Sequence, residues 1–84
     1  SIREQAVEVV RLLRKGKPLT FRSLIGSLKE RSIVVARFLA ILELYRQAAI
    51  SFEQESPLGE LTLTWRAEHF DLESLSTLGT EYDS

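Results

Sequence analysis

The residues that could carry chemistry in this chain are few. The only histidine, His69, stands in a C-terminal stretch dominated by Ser, Thr, Gly and acids. A single imidazole can serve as a general base, but in such a tail it is expected to be a solvent-exposed bystander. Three carboxylates, Glu53, Glu55 and Glu60, fall within eight residues. Acid/base work needs two groups whose pKa values are pushed apart by their surroundings, and nothing around these three does that, so they are expected to be solvated. There is no cysteine and therefore no thiolate metal site or disulfide framework. No His/Asp/Glu cluster has ligand spacing, no glycine loop could cradle a phosphate and no nucleophile elbow is present. No catalytic, cofactor-binding or metal-binding residue is assigned, and the chain is not expected to be an enzyme.

What remains is binding. The 84 residues make one domain, and at that size only about 60% of the unfolded surface is buried. Hydrophobic residues at 44% and charged residues at 27% argue against disorder of the whole. No apolar run approaches the roughly 18 residues of a membrane span, and no signal-peptide pattern opens the chain. The absence of methionine, even at position 1, suggests a fragment of a longer protein, and the lack of cysteine fits a cytoplasmic location. Charge is unevenly spread. Residues 1–66 hold all 11 Lys and Arg against 7 of the 12 acids, net +4, whereas residues 67–84 hold 5 acids and no base, net −5. The division expected is a folded domain over 1–66 and an acidic, partly disordered or partly helical extension over 67–84, dispensable for folding.

The elements follow from period and punctuation. Ser1 and Glu4 form a capping box, and Ala6, Val9, Val10 and Leu13 recur at helical spacing up to Gly16 and Pro18. Residues 17–19 read as extended. Thr20 can cap a short helix over 21–28, with Phe21, Leu24, Ile25 and Leu28 inward. Ser32 can cap a third helix over 33–47. The period then changes to two: Ile50, Phe52 and Gln54 alternate with polar or small residues, and so do Leu61, Leu63 and Trp65 beyond a Pro57/Gly59 turn. That is a β-hairpin with one buried face, and Trp65 is expected in the core. Three helices followed by a hairpin make an α+β winged helix, a helix-turn-helix with a β wing.

Many winged helices bind DNA through polar and basic side chains on the third helix. Here that helix is apolar nearly all round, with one charge, Arg37, before Glu43. The wing carries Glu53, Glu55 and Glu60 and no cation, which a phosphate backbone would repel. A DNA-binding transcription regulator is therefore the secondary reading. The primary one is a protein interface on the second apolar face of helix 3, since a domain of three short helices cannot bury every face of one of them. By bulk, Val35, Phe38, Leu42 and Tyr45 are expected to face the core. Ile33, Arg37, Ala40 and Leu44 lie opposite and suit a partner.

Several stretches resemble the C-terminal domain of ScpA, the bacterial kleisin of the SMC chromosome-condensation complex. Arg37-Phe38-Leu39-Ala40-Ile41-Leu42-Glu43-Leu44 is similar to the family's "FLALLEL" helix. Phe52-Glu53-Gln54 followed by Pro57-Leu58-Gly59-Glu60-Leu61 is similar to its "Q…FGDI" strand–wing–strand segment, and Leu19-Thr20-Phe21 to the "(V)SF" that opens its second helix. The resemblance covers about residues 2–66 and departs from the pattern at Leu58 and Glu60, where Phe and Asp are usual. It implies a protein-binding module that docks on the SMC ATPase head and helps close the SMC–ScpA–ScpB ring in chromosome condensation and segregation. ScpB would be bound through other parts of the full-length protein. DNA would be handled only indirectly, and the location would be the cytoplasm, at the nucleoid. The candidate partner-binding residues are Ile33, Arg37, Phe38, Ala40, Ile41 and Leu44, with Arg37 at the rim.

Overall fold

The computed structural model describes residues 1–75. Helix α1 spans Ile2–Leu13. The capping box is formed: the Ser1 side chain accepts from the Glu4 amide and the Glu4 carboxylate accepts from the Ser1 nitrogen. Gly16 then turns the chain at φ +100°, a region that only glycine enters without strain. Strand β1, Leu19–Thr20, is two residues long and leads straight into α2, Phe21–Ile25. Thr20 caps α2 by accepting from the Ser23 amide. This helix stops three residues earlier than its apolar pattern suggested, closed by Gly26 and a turn from the Leu28 amide to the Ile25 carbonyl.

Helix α3 spans Arg31–Arg46. Its N-cap is Glu30, which makes no side-chain cap bond, and Ser32, expected as the cap, lies inside the first turn. The helix winds early because the Ile33 and Val34 amides both reach the Glu30 carbonyl at 3.1 Å. At the other end the Ala48 amide donates to Tyr45 and the Ala49 amide to Leu44, with Ala48 left-handed at φ +61°. These two bonds are a Schellman motif with alanine where glycine is usual.

Strands β2, Ile50–Gln54, and β3, Leu61–Trp65, form the expected hairpin, and β3 is central in an antiparallel sheet of order β1-β3-β2. Register puts Ile50 opposite Trp65 and Phe52 opposite Leu63 on the inner face, and Ser51 opposite Thr64 and Glu53 opposite Thr62 on the outer. Three helices and a small sheet make a winged helix.

The core joins Ile2, Ala6, Val9, Val10 and Leu13 of α1 to Leu24, to Ala40, Ile41 and Leu44 of α3, and to Ala49, Ile50 and Leu63. Trp65 is half-buried at the edge of this core rather than inside it. Its indole N–H donates to the Ala67 carbonyl at 2.7 Å, Phe70 packs edge-on to it, and the Arg14 guanidinium lies over its ring. Packing therefore runs on past residue 66: a 3-10 turn at Leu72–Leu75 leans on α1, and Leu75 is fully buried. The composition of this stretch had pointed to little burial. Leu78 lies outside the described residues.

Candidate protein-binding surface

Helix α3 packs chiefly against α1, and this contact decides which of its two apolar faces is free. The buried positions are Ala40, Ile41 and Leu44, all 0–1% exposed, while Val35, Phe38, Leu42 and Tyr45 are 42–52% exposed. The assignment by bulk is thus reversed. Fully buried Ala6 on α1 and Ala40 on α3 are small residues, and small side chains at a crossing let two helices approach closely. The two aromatic residues of α3, Phe38 and Tyr45, are left on the outer face.

Of the six candidate contact residues, Phe38 alone stands on the exposed stripe. Ala40, Ile41 and Leu44 belong to the core, and Ile33 is partly buried. Arg37, expected at the rim, is partly buried and bonded within the domain. Its Nε donates to Gln5 Oε1 at 2.9 Å and its Nη1 to the Leu24 carbonyl at 2.8 Å, so it ties α1 and the end of α2 to α3. Val35, Leu42 and Tyr45, expected in the core, stand on the exposed stripe instead. With Phe38 they recur at intervals of three, four and three, the 3.5-residue spacing of a helix seam that meets another surface. That spacing was the available signal.

The stripe extends beyond α3 at both ends. Phe21, from the start of α2, meets Phe38 edge-to-face, with centroids 6.0 Å apart and planes at 87°. Phe52, from the inner face of β2, lies against Tyr45. Aromatic pairs in these geometries hold one another in fixed positions, so the surface is a preformed band from Phe21 across Phe38 and Leu42 to Tyr45 and Phe52.

Charge is arranged around this band rather than in it. Glu53 lies 3.4 Å from Arg66 and Glu60 lies 3.5 Å from Arg22, so two of the three wing carboxylates expected to be merely solvated meet cations from outside the wing. Glu43, on the inner side of α3, is almost fully buried. Burial opposes its ionisation, but bonds from the Gln47 amide and the Arg46 guanidinium outweigh that and hold its carboxyl below the usual range. Chemically the band offers apolar contact and aromatic faces. Base-edge readout needs donors and acceptors, and the exposed positions of α3 between Val35 and Leu42 supply none. His69 is exposed, and among the described residues no group of three or more His, Cys, Asp or Glu side chains could hold a metal ion. No helix of the described residues is long and apolar enough to cross a membrane.

The sequence profile of the family described as "Segregation and condensation protein ScpA" matches residues 1–66. The chain belongs to the ScpA family. The fold agrees. A solved structure described as the SMC head bound to the C-winged helix domain of ScpA matches with a TM-score of 0.61 and 25% identity, over 79% of this chain and 100% of that one. No curated protein matches the sequence.

Proposed function

We propose that this winged helix is the module by which a kleisin subunit docks on the ATPase head of an SMC protein, helping to close the SMC–ScpA–ScpB ring at the nucleoid in the cytoplasm. The observation that carries the reading is the preformed apolar band on α3, in a fold whose solved counterpart is an ScpA winged helix bound to an SMC head. The role is positional: the domain contributes a surface, the head contributes the nucleotide chemistry, and ScpB and DNA are engaged by other parts of the complex.

The docking surface is Val35, Phe38, Leu42 and Tyr45 with flanking Phe21 and Phe52. Large aromatic and aliphatic side chains already held in place contribute binding at low entropic cost. Titration of the chain with the purified SMC head of the same organism, in parallel with duplex DNA at about 0.15 M salt, where screening leaves only substantial phosphate contacts, tests this. Saturable binding to the head that Phe38→Glu abolishes is the expected result. Tight, sequence-selective DNA binding would replace the reading with that of a transcription regulator.

A further inference from the structure

The tip of the wing is built against the ordinary rules for a turn. Residues 56–59 form a β-turn closed by the Gly59 amide on the Ser56 carbonyl at 2.9 Å. The ring of Pro57 fixes its φ near −65°, and Leu58 follows at φ +66°. This is a type II turn, whose second central residue is normally glycine or asparagine because a Cβ is strained there. Leu58 occupies that position although a glycine is the next residue. Its side chain is also wholly exposed, so no burial within the domain offsets the strain or the hydration of a bare isobutyl group. Folding accounts for neither feature.

Leu58 is also placed where a partner would reach it. With Phe21, Arg22, Gly59, Glu60 and Leu61 it lines one shallow cleft, and Phe21 is the residue that meets Phe38 at the end of the α3 band. Beside this cleft Glu60, the residue after the turn, pairs with Arg22 of α2 at 3.5 Å, both side chains open to solvent. The bare leucine is therefore continuous, through Phe21, with the apolar band on α3.

We propose that Leu58 is an anchor residue that enters an apolar pocket on the SMC ATPase head beside the surface covered by the α3 band. The inference rests on the docking reading above. Strain held at an exposed position is a feature of binding sites, where the partner rather than the fold uses the side chain, and interface energy concentrates in such anchors.

Two substitutions in the 84-residue chain test it. Leu58→Gly removes the side chain and relieves the turn, so it should melt at or above the wild-type temperature while binding the SMC head at least about tenfold more weakly. Leu58→Met keeps an apolar side chain in the same turn and should bind within about threefold of wild type. A Leu58→Gly chain that binds the head as wild type does, while Phe38→Glu abolishes binding, overturns the anchor and leaves the docking reading intact. A wild-type chain that does not bind the head overturns both. A Leu58→Gly chain that melts well below wild type overturns the anchor too, because the leucine would then serve the fold.

Discussion

Tyr45 stacks on Phe52 with ring centroids 4.6 Å apart and planes inclined by 29°. One ring comes from the last turn of α3 and the other from the first strand of the hairpin. The pair therefore fixes the angle at which the wing leaves the helix, and both rings stay partly open to solvent. Tyr45→Ala should weaken head binding by about 1–3 kcal/mol, since it removes a contact and loosens the band. Far-UV circular dichroism should be unchanged and titration with the head should show the loss.

The two faces of α3 should respond oppositely to the same kind of change. Phe38→Glu or Leu42→Glu should leave the fold intact and cost about 2 kcal/mol or more of binding. Ala40→Glu and Leu44→Lys, placed on fully buried positions, should instead unfold the domain, because an unpaired charge has no partner there. Thermal melts of the four variants separate the sets.

Arg37→Met keeps most of the aliphatic stem and removes both bonds to Gln5 and Leu24. The loss should be about 2 kcal/mol of stability, the usual worth of hydrogen bonds from a charged donor. Affinity per folded molecule for the head should not change. A binding defect without a stability defect would return Arg37 to the interface.

Glu43 gives the domain an acid limit. Its folded-state carboxyl titrates below the ordinary value of 4.5. Its contribution is thus complete above that value and is lost as pH falls through the lower folded-state value. Urea midpoints measured from pH 7 down to pH 3 should fall in the acid range, and Glu43→Gln should flatten that part of the curve while lowering stability at neutral pH.

Truncation after residue 66 should cost roughly 2 kcal/mol, or about 10 °C in melting temperature for a domain of this size. It removes buried Leu75, the Phe70 ring and the carbonyl that accepts from the Trp65 indole. Differential scanning calorimetry of the 1–66 and 1–75 chains measures it.

Local chemistry was legible in the sequence wherever one residue acts on its near neighbours. The Ser1–Glu4 box, the Thr20 cap and the alternating hairpin all stand as their residue types require. Strand β1 was not legible as a strand, because two residues carry no period; it exists by pairing with β3. The inward face of α3 was misjudged for a related reason. Both faces are apolar, so pattern could not choose between them, and bulk chose wrongly. The deciding fact is tertiary: α3 packs chiefly against α1, and the face it buries is the one with Ala40, Ile41 and Leu44. The docking of Phe70 and Leu75 was hidden by the polar residues between them.

On α3 the residues buried in the core and those that face outward are separate sets. Ala40, Ile41 and Leu44 answer to α1; Val35, Phe38, Leu42 and Tyr45 do not. A change in one outward side chain therefore leaves the crossing with α1 untouched. Such a helix can track a drifting partner surface by single substitutions, with compensating changes on the other chain, while the fold that carries it stays under independent selection.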